Sequence, residues 1–152
     1  MRTLDLFVTL LLSAAPVSEL RGGIPFALAR GASPPAAFFL ALAGNLVIIP
    51  ALLFGLSAGE RLIRRCEAGR RIIDLTFGRV RRRRRLIDRY GPVGLFFLVA
   101  VPLPGTGAWT GAIAAHLFGI RPRRAAIPIA SGVVIAGVLV LSASLGLIRL
   151  FD

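Results

Sequence analysis

Lysine is absent from this chain, and cysteine, histidine, methionine, tryptophan and tyrosine occur once each. A lone Cys66 excludes an intramolecular disulfide and any cysteine-built metal site. A lone His116 argues against a histidine metal cluster. Neither a metal nor another cofactor is therefore expected. Acidic residues are also scarce, 7 against 19 arginines, which gives a formal net charge of +12. In a soluble chain that excess would point to DNA or RNA. Here the arginines flank apolar stretches, and apart from ten phenylalanines only Trp109 and Tyr90 could stack on bases. Nucleic acid is not an expected partner. The use of arginine alone suits phosphate, which guanidinium grips with two bonds; codon bias in a GC-rich genome produces the same composition.

Charge is missing from long tracts as well. Of the 152 residues 56% are hydrophobic, with a mean hydropathy of +0.80, above the share of an ordinary globular domain. Between Glu19 and Arg149 the charges gather in two blocks, Glu60–Arg89 and Arg121–Arg124, with Arg21 and Arg30 outside them. That segregation predicts a polytopic membrane protein with apolar segments in lipid and charged loops in water. The first apolar run, Leu4 to Pro16, has no basic start beyond Arg2 and continues into Ser18-Glu-Leu-Arg21. It does not read as a cleavable signal.

A membrane-spanning helix needs about 20 apolar residues. Two uncharged segments qualify, 34–58 and 125–148, the second with Pro128 near its start. Two further apolar stretches are interrupted. Residues 4–29 carry Pro16, Ser18, Glu19, Arg21, Gly22, Gly23 and Pro25 in their middle; residues 91–119 carry Pro102, Pro104, Gly105, Thr106 and Gly107. Each break leaves only about a dozen apolar residues on either side, too few to span. Proline ends a helix and glycine permits a tight turn. Broken backbone at membrane depth survives only where it is buried in protein or lines a cavity. Two re-entrant hairpins are expected, kinked full spans being the alternative.

The halves resemble each other. A shift of 88 residues lays Pro16 on Pro104, Gly23 on Gly111, Gly31 on Gly119, Pro34 on Pro122 and Gly44 on Gly132, with Ala27 and Ala37 falling on Ala115 and Ala125. The shared pattern is hairpin, short loop, span. Repeat 1 is 1–58, a basic linker is 59–90, and repeat 2 is 91–152. The linker block Glu60–Arg89 holds 12 arginines and the 121–124 loop three more, so both are expected in the cytoplasm by the positive-inside rule. The short connection 30–33, with one arginine, then faces outside. The halves become inverted repeats, a layout of transporters whose site lies at the midplane between repeats. The fold class expected is thus an all-α integral membrane protein: an inverted repeat of re-entrant hairpin plus transmembrane helix, joined by a basic amphipathic cytoplasmic helix. In that linker Leu62, Ile63, Cys66, Ile73, Phe77 and Val80 recur at roughly helical spacing. The expectation is a helix flat on the membrane, apolar side in lipid, with Arg81, Arg82, Arg83, Arg84 and Arg85 as a topology anchor or a lipid-headgroup site. One small chain makes a thin wall around any pathway, so a homodimer or larger assembly is expected.

The stretches Pro16-Val-Ser-Glu-Leu-Arg-Gly-Gly-Ile-Pro25 and Val101-Pro-Leu-Pro-Gly-Thr-Gly-Ala-Trp-Thr-Gly111 resemble the signatures of the small multidrug export protein family, over essentially the whole chain. That family is similar in layout to the DedA (VTT-domain) superfamily, whose members have paired re-entrant hairpins. Some of those are implicated in carrying undecaprenyl phosphate or other lipids, with proton-motive force involved. The resemblance implies a multi-pass transporter of the bacterial cytoplasmic (inner) membrane. One departure is plain: DedA proteins typically carry arginines in the second hairpin, and this sequence has none between Gly91 and Ile120.

Glu19 and Arg21 are the only charged residues within either break, and intramembrane charges are functional candidates by default. Two apart in sequence, they need not pair. A carboxylate in a low-dielectric pocket favours its neutral form, which makes Glu19 the candidate proton-coupling residue. Arg21 could hold an anion or neutralise Glu19; a Glu–Arg bridge that only locks the break is the structural alternative. The second arms of the hairpins are expected to begin at Gly22-Gly23 and near Gly105-Thr106-Gly107. Helix N-termini attract anions, so the two ends could frame a phosphate with Arg21, Thr106 and Thr110, Trp109 stacking or packing beside it. The glycines serve equally for close helix packing. Asn45 either lines a cavity or bonds to another helix. His116 is a packing residue or, less simply, a proton relay. No Ser–His, Cys–His or paired-carboxylate arrangement appears, so an enzyme is not expected. The expected function is transport of an amphipathic or lipid-linked anion, of polyprenyl-phosphate kind, with proton coupling. Export of cationic drugs, an intramembrane lipid enzyme and a structural membrane protein are the alternatives. Membrane lipids, through anionic headgroups, are the expected partners.

Overall fold

A computed structural model of the chain describes residues 2–103 and 105–151, without the side chains of 149 and 151. Pro104, which the sequence places in the second break, lies outside the described residues. Those residues form eight helices and no strand: α1 (Thr3–Ala14), α2 (Glu19–Ala29), α3 (Pro34–Ile63), α4 (Glu67–Arg81), α5 (Arg84–Tyr90), α6 (Pro92–Ala100), α7 (Ala108–Leu117) and α8 (Pro122–Phe151).

Among the described residues, only α3 and α8 are long and apolar enough to cross a membrane. Both open on proline, whose fixed φ and missing N–H fit a first helical turn. They run beyond the apolar segments, α3 to Ile63 and α8 from Pro122, because nothing in the flanking charged residues stops a helix. The shorter helices of 9 to 12 residues extend only about 14 to 18 Å at 1.5 Å per residue. The physical reason for the first and third stops is the same. Ala15 and Val101 each precede a proline, which forces the preceding residue out of the helical region; they sit at φ −73°, ψ 143° and φ −83°, ψ 114°.

The halves repeat as a structure. The order α1, α2, α3 returns as α6, α7, α8, and the ends of α2 and α7, like both ends of α3 and α8, differ by the 88 residues seen in the sequence. Gly31 and Gly119 close α2 and α7 with positive φ, +80° and +67°. The packing repeats too. A Cβ on Gly44 would come 2.6 Å from the Leu10 carbonyl, and one on its counterpart Gly132 would come 2.9 Å from the Phe96 carbonyl. Each long helix thus lets the first short helix of its own half approach to backbone contact. Between halves, α2 packs on α8, α7 packs on α3, and α3 and α8 pack on each other. Large apolar side chains such as Phe7, Phe39, Val47, Phe54, Ile127 and Val138 stay exposed on the outer faces, as lipid-facing residues do.

The linker departs from expectation in two respects. Its first residues, with Leu62 and Ile63, continue α3, a turn at 64–66 follows, and the rest is two helices, not one, with a turn at Arg82–Arg83 inside the arginine run; five adjacent like charges repel along a continuous helix. And Ile73, Phe77 and Val80, expected in lipid, are buried within the protein core, with α4 packed against α7. An apolar helix satisfies that face as well as lipid does, and α7 lies beside it. Leu62, Ile63, Ile72 and Leu75 do remain exposed.

Candidate functional site at the crossed breaks

The two broken segments, remote in sequence, are bonded to each other. Glu19 opens α2 with φ +47°, a left-handed conformation that costs a non-glycine residue about 1–2 kcal/mol. Its buried carboxylate reaches the N-terminus of α7, where Oε1 accepts from the backbone N–H of Trp109 at 3.2 Å. Free N–H groups and the helix dipole favour a negative charge at that point. Gly107, at the N-cap of α7, has φ +152° and ψ −162°, a region open essentially only to glycine. A Cβ there would lie 2.7 Å from Glu19 Oε1 and closer still to Oε2. Gly107 is therefore the residue that admits the carboxylate.

Arg21 makes the second crossing. Its Nη2 donates to the Thr106 carbonyl at 2.6 Å and to Thr106 Oγ1 at 3.0 Å. The buried Thr106 hydroxyl lies 2.7 Å from the Val101 carbonyl and 2.8 Å from that of Leu103, so it ties up the loop that Arg21 grips. The third crossing runs the other way: Trp109 Nε1 donates to the Ala14 carbonyl at 2.9 Å, at the end of α1. Thr110 Oγ1 donates to the Gly105 carbonyl at 2.8 Å. Glu19 and Arg21 form no ion pair with each other among the described residues. Each neutralises dipoles of the opposite hairpin instead.

Of the residues singled out from sequence, Glu19, Arg21, Thr106, Gly107 and Trp109 come together, with Gly105 and Thr110 alongside. Gly22 and Gly23 do not. The helix begins at Glu19, three residues earlier than expected, and the Gly22 N–H is spent on the Ser18 carbonyl. Gly23 instead packs against Ser13 and Ala41. Two helix ends framing one phosphate is thus not what this conformation holds: one end is absorbed into its helix and the other is capped by Glu19. Asn45 is fully buried, but its amide bonds to no other helix among the described residues. The space beside Glu19, lined by Leu20, Arg21, Val99, Gly107 and Val133, amounts to about 10 Å³, room for no more than about one water.

Sequence reasoning missed one ion pair and one charged network that hold the frame. Asp5 and Arg30 meet at 2.9 Å across the open end of the first hairpin. Glu60 bonds to His116 at 2.8 Å and to Arg64 at 2.7 Å, and Arg64 reaches Asp74 at 3.0 Å, tying α3, α4 and α7 together. His116 thus has a carboxylate partner, and its ring lies 6.3 Å from that of Phe77. Arg64 and His116 hold the Glu60 carboxyl below its ordinary acidity range, Arg64 contributing more. An acidic residue about one helical turn before a linker arginine was the only sequence signal for this network. The run Arg81–Arg85 is divided: Arg84 pairs with Asp88 at 3.1 Å, while Arg82 and Arg83, with Arg79, line a cavity against Gly105, Thr106 and Thr110.

The side chains that cross between the breaks fall within the reach of a known family pattern. A family model described as "Putative small multi-drug export protein" matches residues 19–139. The chain belongs to that family. The match opens on Glu19 and takes in every side chain of the crossed site, α1 and the end of α8 lying outside it. Comparison with curated proteins and with solved structures gives no match. The chain is accordingly a membrane protein with two long apolar helices, its broken segments joined by Glu19, Arg21 and Trp109.

Proposed function

We propose that this small multi-drug export protein moves an amphipathic, lipid-linked anion of the polyprenyl-phosphate kind across the bacterial cytoplasmic membrane, coupled to protons through Glu19. The observation that carries this reading is the carboxylate of one hairpin seated on the helix N-terminus of the other. A substrate phosphate would seek the same N–H groups, so Glu19 and the substrate compete for one place. Protonation of Glu19 removes its charge from the α7 terminus and frees that terminus for the phosphate. Arg21, already aimed at Thr106, then compensates the incoming charge. Deprotonation returns the carboxylate and expels the substrate. The closed space beside Glu19 is the resting state of such a cycle, and the halves separate to admit a headgroup.

In this reading α1–α2 and α6–α7 are re-entrant hairpins entering from opposite sides, the halves are inverted repeats, and the linker and the 121–124 loop are cytoplasmic. The short helices cannot cross a hydrocarbon core of about 30 Å, and the exchange of packing partners between halves fits an inverted pair. A homodimer supplies the wall that one chain lacks.

The family's description favours a second reading, export of cationic drugs with Glu19 as the cation site. Against it, the Glu19 charge is already compensated by the α7 terminus. Arg21→Ala separates the two: it cripples anion transport and spares or improves cation export. The direct test follows a fluorescent polyprenyl phosphate loaded on one side of proteoliposomes, with and without a pH gradient. Gradient-driven movement in the wild type, lost in Glu19→Gln, is the expected result. Movement in both regardless of gradient would mean a scramblase and leave Glu19 a structural cap.

A further inference from the structure

We infer that the turn between α4 and α5, facing the second break, forms an entry site for an anionic lipid that is separate from the Glu19 centre. Two cavities meet there. One, of about 240 Å³, is lined by Arg79, Arg82, Arg83, Gly105, Thr106 and Thr110. The other, of about 400 Å³, is lined by Leu86, Tyr90, Phe97, Leu98, Val101 and Leu103 together with Arg83 and Thr106. They share Arg83, Leu98 and Thr106, so a basic chamber opens into an apolar one of ligand size.

The chemistry selects the occupant. Among the described residues, Arg79, Arg82 and Arg83 pair with no carboxylate, whereas their neighbour Arg84 does. Three arginines lining one chamber suit a phosphate. The adjoining wall is apolar yet open: Phe97, Val101 and Leu103 are 47%, 47% and 45% exposed. A free phosphate would make no use of that wall, and a neutral lipid would make none of the arginines. A phosphate bearing an apolar chain uses both, its tail leaving along α6 into the bilayer. Thr106 forms the inner wall of both chambers, and its carbonyl is the one that Arg21 grips from the other hairpin. A headgroup held here therefore lies one residue from the crossed site. The site deepens the transport reading and rests on it for its role as the point of entry; binding itself depends only on the two chambers.

The test uses purified full-length protein in phosphatidylcholine nanodiscs, titrated with farnesyl phosphate, farnesol, butyl phosphate and inorganic phosphate. Farnesyl phosphate is expected to bind well above the other three. Each headgroup arginine is worth about fivefold, so Arg79→Gln, Arg82→Gln and Arg83→Gln together lower its affinity on the order of a hundredfold. The same charge removed elsewhere on the linker, as Arg61→Gln, Arg65→Gln and Arg71→Gln, lowers it less than about threefold. Thr110→Glu keeps every arginine and sets a carboxylate in the basic chamber, so it weakens binding without burdening the fold of the linker. An equal fall in both triple variants would reduce the site to diffuse charge and overturn it. Inorganic phosphate binding as well as farnesyl phosphate would overturn the lipid assignment. Site-dependent binding without transbilayer movement in the wild type would sustain this site and sink the transport reading. Glu19-dependent transport with unaltered binding in the Arg79, Arg82 and Arg83 variant would do the reverse.

Discussion

Replacing Gly107 by alanine tests the central contact directly. The new Cβ would lie 2.7 Å from Glu19 Oε1 and nearer to Oε2, so the carboxylate must withdraw by about 1 Å or more to reach van der Waals separation. The bond to the Trp109 N–H, already 3.2 Å long, does not survive that movement. A hydrogen bond to a charged group is worth about 1.5–3 kcal/mol, and the favourable helix terminus adds about 0.3–1 kcal/mol. Ejection of Glu19 therefore costs about 2–4 kcal/mol, on top of about 1–3 kcal/mol for alanine in the backbone conformation of Gly107. Glu19→Ala alone forfeits the same bond and dipole contact. The two losses overlap, so the double variant should be more stable than additivity allows by about 2–4 kcal/mol. The unique Trp109 belongs to the α7 terminus itself, and its fluorescence through an SDS titration reports unfolding in all four proteins. Additive costs within about 0.5 kcal/mol would mean that Gly107 and Glu19 do not meet, and the crossed site would fall with them.

Trp109→Phe removes the indole N–H that serves the Ala14 carbonyl together with part of the ring's bulk, and should cost at least about 1 kcal/mol, read by circular dichroism; no loss would make the third crossing incidental. Cys66, exposed at the start of α4, should react with an impermeant maleimide in inside-out vesicles and not in right-side-out ones, the reverse result placing the linker outside. Because Arg64 and His116 lower the acidity range of Glu60, its contribution to docking α4 is complete above the ordinary carboxylate range and fades as the pH falls through the lowered value. A nitroxide on Arg71→Cys in a Cys66→Ser background should therefore stay immobile at neutral pH and loosen only as the pH falls below the ordinary carboxylate range. In Glu60→Gln it should be loose throughout; an unchanged titration in that variant would assign the transition to another group.

The two long apolar helices, the two breaks and the basic linker were legible because each is a local property. Proline after Ala15 and after Val101 stops a helix wherever it occurs, and 12 arginines in one block prefer water whatever they pack against. The 88-residue register was legible for the same reason: its markers are prolines and glycines whose backbone demands do not depend on neighbours. The apolar face of α4 was legible as a face but not as to its cover, since lipid and α7 satisfy it equally. Asp5–Arg30 and Glu60–His116 left almost no trace, because charges at the ends of apolar segments look alike whether paired or solvated.

For the site, the sequence by itself determined which residues were chemically conspicuous: one carboxylate and one guanidinium within two breaks, with glycine, threonine and tryptophan in the second. Only the tertiary structure decided their partners. A buried charge must be compensated, but composition does not say by what, and Arg21, two positions from Glu19, was as eligible as a helix end 90 residues away. The choice went to the distant dipole because the left-handed turn at Glu19 and the missing side chain at Gly107 let the carboxylate enter. That close approach becomes visible only when both backbones are in place.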